Sequence, residues 1–390
     1  MSVLIASLLT FAFPEPDRCL HAEGNRSVRP PIQVRIDSTS ELSGLLDSAQ
    51  VALVRLVQQG IPPRIDAPPT LRWLSVDPAF AMALSGVSAN GERLTFHLKG
   101  QTLRKSPDWS VVTITLTCAG ANGSMRLAAW DSEIRLAPTE GVEFRPFLHR
   151  SLRLARVMAV GTDSVWMSDG VSLDSVEVAH GLRFADSVRA LVTSRPRPPL
   201  RFVVGRVGDS TMSFLGMRYW RQPMPAATSA ALRTVFGPAT RNGGLDRHEL
   251  VHGALIGAAT GVPDTRFEEG IAVFLGGGRQ LPFPATFCAH GRPLNSVSSA
   301  ELLSVTEGRL ADEQVRAVAL GALVELLLSR SGPTVLATGL SNFQMGGTRD
   351  DRWLALLALR LGVPLDELAA QWQQHLADRI AACADGRSGL

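Results

Sequence analysis

Asp246-Arg-His248-Glu249-Leu-Val-His252-Gly253 is the stretch on which the reading of this chain depends. On a helix, residues four apart are offset by about 40° and rise about 6 Å, so both imidazoles reach toward one point. His-Glu-x-x-His is therefore a metal-binding pattern with a mechanical basis. Glu249 lies on the flank of the same face, where it can address a water held beside the histidines. The surroundings suit a helix. Gly243-Gly244 breaks the chain before it, and Leu245, Val251, Leu255 and Ala258 form an apolar back. Gly261-Val-Pro263 is the expected end.

Two histidines at this spacing can also be merely packed, so a third ligand decides the matter. The next segment is Thr265-Arg-Phe-Glu268-Glu269-Gly-Ile-Ala-Val-Phe-Leu-Gly276. Thr265 followed three residues later by Glu268 is a capping box, opening a helix that the Gly276–Gly278 run closes. That gives Glu268 a structural task and leaves Glu269 as the carboxylate arriving from a second helix. Two histidines and one glutamate are the set a hydrolytic zinc site requires, with the fourth position kept for water. Exchange of Glu268 and Glu269 would change the ligand and leave the chemistry intact.

These residues resemble the gluzincin metallopeptidases, and among them the bacterial peptidase MA-like group, in which a helix bearing Glu-Gly-hydrophobic-Ala follows the His-Glu-x-x-His helix. The resemblance spans about 175–385. It includes the strand expected at Leu232–Phe236, the buried helix with small residues at Ala317–Leu328, and the terminal Gly362-Val-Pro-Leu-Asp-Glu-Leu-Ala-Ala-Gln-Trp372. It implies Zn2+ held by His248, His252 and Glu269, Glu249 as general base, and a peptide or protein substrate. The strand at 232–236 would then bind substrate backbone by strand addition. Some gluzincins place an aspartate four residues after the ligand glutamate to support a zinc histidine; here that position is Val273, so another acceptor, such as a backbone carbonyl, must serve. His290 and Tyr219 are the candidates for oxyanion or substrate contacts. The missing aspartate also motivates a competing reading, a non-catalytic peptidase-like binding or scaffolding protein of the cell envelope.

The rest of the chain divides at about 170–175. Ahead of that point Ile32–Ile36 alternates, Glu41–Gly60 has helical spacing, and Leu94–Leu98, Val111–Thr117 and Met125–Leu136 are strand-like. Residues 30–170 thus read as an α+β domain, a helix with a mostly antiparallel sheet, and carry no family resemblance. Beyond it come a helix over Val176–Val192, a strand over Leu200–Val207, a short helix over Asp209–Met217, and then helices over Asp312–Ser329, Arg352–Leu361 and Leu365–Cys383. The fold class is α+β, with a zincin-like second domain that has a small sheet and a mainly helical C-terminal part.

Composition sets the outer bounds. The 390 residues are 45% hydrophobic and 19% charged, enough apolar material for two or three folded domains. Net charge is +3, but Lys99 and Lys105 are the only lysines among 39 basic residues. Such an arginine skew reflects codon usage, and without a basic stripe it predicts no nucleic-acid partner. No apolar run is long enough for a stable membrane span. Val3–Phe13 fits the apolar core of a weak export signal within residues 1–22, against a short buried helix or strand. Of the four cysteines, Cys288 and Cys383 are the pair expected to join in an exported chain, the alternative being buried free thiols.

Overall fold

The computed structural model describes residues 32–36, 93–101, 109–120, 123–137, 141–205, 216–220, 227–229, 233–258, 265–278, 281–304, 310, 312–340 and 353–385. The expected export signal, the helix over 41–60 and most of the short helix over 209–217 lie outside them. The chain forms two compact units. One comprises Met1–Arg153 with Met212–Pro223, the other Leu154–Thr211 with Met224–Leu390.

The first unit is a six-stranded sheet. Its strands β1 (Ile32–Ile36), β2 (Arg93–Gln101), β3 (Ser110–Gly120), β4 (Gly123–Ala137) and β5 (Gly141–Pro146) are neighbours in sequence order, and α1 (Phe147–Leu154) follows. Only β1–β2 is parallel among these pairings. Residues 129–134 of β4 are buried on both faces; on one of them Ile114 of β3 stands opposite Trp130 in register, and both are fully buried. Two buried carboxylates on β4 are paired. Asp131 accepts from Thr113 Oγ1 and from Arg218 Nε, each at 2.7 Å, and Glu133 accepts from Arg153 at 3.2 Å. Arg218 belongs to a sixth strand, Met217–Trp220, which arrives from much later in the chain to pair with β4.

The second unit begins with β6 (Arg156–Val160) and β7 (Asp163–Met167), followed by α2 (Ser175–Val192) and β8 (Arg201–Gly205). The chain then contributes the strand just described, β9 (Met217–Trp220), to the other sheet. It returns for β10 (Ala227–Ser229) and β11 (Thr234–Pro238). The second sheet has the order β10-β11-β8-β7-β6, parallel through β11-β8-β7 and antiparallel at both ends. Asp163 locks the entry to β8, accepting two bonds from Arg197 and one from the Leu200 amide.

Helices make up most of the remaining described residues: α3 (Arg247–Leu255), α4 (Thr265–Gly276), α5 (Phe283–His290), α6 (Ser299–Ser304), α7 (Glu313–Ser331), α8 (Thr334–Leu340), α9 (Trp353–Leu361) and α10 (Leu365–Ala384). Their starts are written locally. Asp174, Asp246 and Asp312 each accept backbone N–H bonds at the heads of α2, α3 and α7. The helix α7 is buried along most of its length, and α10 lays Leu368, Trp372 and Leu376 into the same core. The Trp372 indole donates to the Ala319 carbonyl at 3.0 Å, so its polar edge is satisfied at full burial. Cys288 of α5 and Cys383 of α10 form the expected disulfide.

The class is α+β, as expected. Three details differ from the expectation. The division between units falls after Arg153 rather than near 170–175, because β6 and β7 hydrogen-bond into the second sheet. Met217 opens a strand, not a helix end. The strand before the helix that carries the histidines, β11, is flanked by β8 along its length and by β10 at Thr234, Val235 and Phe236, so over those three residues both sides are already paired and closed to a substrate strand. Among the described residues the edge on that side of the sheet is β10.

Candidate metal centre

The helix α3 that carries both histidines is short and tightly held. Asp246 caps its start, accepting from the His248 amide at 2.9 Å. Leu250, Val251, Ala254 and Leu255 are buried on its back. It ends at Leu255, earlier than the expected Gly261, and Gly257 follows with φ +65°. The carbonyls of that last turn meet a guanidinium. Arg189 of α2, 4% exposed, donates to Ala254, Ile256 and Gly257 at 2.9, 2.8 and 3.2 Å. A cation at a helix C-terminus satisfies orphan carbonyls and opposes the dipole.

The second helix, α4, runs close against α3 and α7, and glycine permits both approaches. A Cβ at Gly270 would stand 2.8 Å from the Leu320 carbonyl oxygen of α7. One at Gly276 would stand 2.6 Å from the His248 Cα. The glycine after Glu269 is therefore required by packing against α7, and Gly276 by packing against the histidine helix.

The four motif residues come together. His248 Nε2 and His252 Nε2 are 3.2 Å apart. The two oxygens of Glu269 reach one ring each, at 3.5 Å from His248 and 3.3 Å from His252. His248, His252 and Glu269 form a group that can hold a metal ion, and it is the one such group among the described residues. Glu249 lies beside them, 3.9 Å from His248 Nε2.

The Nδ1 atoms face the other way and are occupied. His248 Nδ1 is 3.1 Å from the Gly277 carbonyl oxygen, which can only accept. His252 Nδ1 is 3.0 Å from Glu268 Oε1. The backbone acceptor expected in place of the missing aspartate is thus present for His248. His252 has a carboxylate, so Glu268, expected only to close a capping box, places its Oε1 against the histidine ring. Val273, where the aspartate would stand, is buried in the apolar core. The overlooked signal was the pair Glu268-Glu269 itself, since neighbours on one helical turn can flank the same ring.

The charges are strongly coupled. Burial works against a charged His252, but the bonds from Glu268 and Glu269 outweigh it and raise its pKa well above the ordinary value. His248 is raised too, Glu269 overcoming the burial cost. Glu269 is held well below the usual carboxylate range despite burial, because both imidazoles bond to it. Glu249 goes the opposite way: burial dominates and pushes its pKa up against the pull of both histidines.

Two other sequence candidates sit elsewhere. His290 occupies the last turn of α5, outside the group that could hold a metal ion. Tyr219 lies in β9, paired with Ala129 in the sheet of the first unit. Among the described residues no helix is long and apolar enough to cross a membrane. Compared with models of known protein families and with curated proteins, the chain matches none.

Proposed function

We propose that this chain is a gluzincin-type zinc metallopeptidase that hydrolyses peptide bonds, with His248, His252 and Glu269 holding the ion and Glu249 as general base. The observation that carries the proposal is the spacing of the three donors. Two ligands 2.0–2.1 Å from a tetrahedral ion stand about 3.3 Å apart, and the edges here measure 3.2, 3.3 and 3.5 Å. Two imidazoles and one carboxylate are also the donor set of hydrolytic zinc sites that leave a fourth position open. Zinc bound there supplies a Lewis acid that acidifies a water and polarises a scissile carbonyl.

The remaining work falls to the protein. Glu249, its basicity raised by burial, takes a proton from the attacking water and passes it to the leaving amine nitrogen. Asp246 and Arg189 fix the two ends of α3 and so hold the histidine pair in place. The disulfide between Cys288 and Cys383 suits an oxidising compartment, which supports export of the enzyme.

Metal analysis of the purified chain tests the first part: about one equivalent of zinc, lost in His252→Ala. A folded chain that takes up no zinc overturns the reading. Glu249→Gln tests the second: zinc retained, and peptide cleavage reduced by roughly 10²–10⁴ or more. Zinc retained with no cleavage by the unaltered chain, across a peptide library, would favour the binding or scaffolding role instead.

A further inference from the structure

The support given to the two histidines is unequal. His248 rests on a neutral acceptor, the Gly277 carbonyl, whereas His252 rests on a carboxylate. Both side chains of the second pair are largely enclosed, His252 at 15% exposure and Glu268 at 19%. Consecutive residues on a helix are about 100° apart, and here that step carries two carboxylates around a single ring. Glu268 Oε1 meets Nδ1 at 3.0 Å, while Glu269 Oε2 meets Nε2 at 3.3 Å. One turn further on, where a supporting aspartate would be looked for, Val273 packs toward Gly321 of α7 and offers no acceptor.

We infer that Glu268 is a positioning residue of the metal centre: by accepting the Nδ1–H of His252 it fixes the ring's tautomer and orientation and commits Nε2 to the ion. This rests on the metal site proposed above. An acceptor at one ring nitrogen sets the direction of the other, and an anionic acceptor also strengthens the ring as a donor. The carboxylate that related sites draw from one turn after the ligand is here drawn from the residue just before it. The Glu268-Glu269 pair then has two distinct tasks, one carboxylate aiming the imidazole and the other binding beside it.

The test uses the full chain, stripped of metal and titrated with Zn2+ against a chromophoric chelator, and with Co2+ followed by its visible absorption. Glu268→Ala is expected to bind one equivalent of Zn2+ with affinity about 10–100-fold weaker, with a shifted Co2+ band. Glu268→Gln keeps an acceptor without the charge and is expected to recover most of the loss, to within roughly threefold to tenfold of the unaltered chain. Glu269→Ala, lacking a ligand, should bind more weakly than either. Full affinity and an unshifted Co2+ band in Glu268→Ala overturn the proposal. So does Glu268→Gln falling as far as Glu268→Ala, or a loss in Glu268→Ala that equals that in Glu269→Ala. Should the alanine variant fail to fold, Glu268→Leu, which fills the space without an acceptor, decides: an unaltered affinity and band overturn the proposal. An unaltered chain that binds no Zn2+ is a different result, since it removes the metal site on which the proposal rests.

Discussion

The guanidinium of Arg189 donates to the carbonyl of Ala254 at 2.9 Å, so a residue of α2 closes the last turn of the helix that carries both histidines. Its other bonds go to Ile256, Gly257 and Arg195. Arg189→Met keeps most of the packing but leaves buried carbonyls without a donor, at a cost of about 3 kcal/mol or more. Thermal and denaturant unfolding should both register the loss. Arg189→Lys should restore only part of it, because one ammonium cannot span three diverging carbonyls. Equal stability of Arg189→Met and the unaltered chain would show that water replaces the guanidinium at no cost.

Protons and metal compete for the same Nε2 atoms. In the metal-free chain the pKa of His252 is raised well above 6.5 and that of His248 is raised as well. Zinc affinity should therefore keep rising as pH increases past 6.5 and level off only above the raised value of His252. The same shift has a stability consequence of opposite sign. A raised histidine contributes stability to the metal-free fold that is complete below its unfolded pKa and is lost as pH rises through its folded pKa. Glu269, held low, contributes stability above the ordinary carboxylate pKa that is lost as pH falls through its depressed value. Chelator competition and metal-free melting between about pH 6 and pH 9 give both curves. An affinity that is flat above pH 6.5 would contradict the histidine shift.

Gly270 makes a separable prediction. A methyl group there collides with the Leu320 carbonyl of α7, and overpacking of this kind costs about 1–3 kcal/mol. Gly270→Ala should lower the unfolding temperature. It should also weaken metal binding, because any retreat of α4 from α7 moves Glu269 relative to the histidines. Destabilisation without a change in metal affinity would show that α4 shifts as a rigid body with α3.

The disulfide joins residues 95 apart in sequence. Closing a loop of that size lowers the entropy of the unfolded chain, and bridges of this kind contribute about 2–5 kcal/mol. Reduction, or Cys288→Ser with Cys383→Ser, should reduce unfolding free energy by that order. Circular dichroism against denaturant, with and without reductant, measures it. Coincident curves would show that α5 and α10 are held by their apolar contacts alone.

What was legible in the sequence was whatever local spacing encodes. The histidine pair and the Leu368–Trp372–Leu376 face of α10 follow from helical periodicity, and Glu269 from its place at the head of the next helix; the structure gathers the three donors into one group. The strands β2 to β4 follow from alternation. The rest depends on partners distant in the chain. Arg189 caps a helix 65 residues away, and nothing near Arg189 announces that. Glu268 fits a capping pattern with Thr265, and only the approach of α3 reveals its contact with His252. The interior place of β11 depends on β10, three residues too short to stand out by periodicity. Val273 shows the converse: the residue at an expected supporting position became core, and the support moved to another residue.

The detour of β9 bears on the order in which the molecule can be made. The first sheet is complete only once Trp220 has emerged during synthesis, after β6, β7, α2 and β8 of the second unit are already available to fold. Neither unit can be finished strictly before the other begins. A protease acting once between Arg153 and β6 would leave a strand of the first sheet still attached to the second unit, so the halves would be cut yet remain laced together.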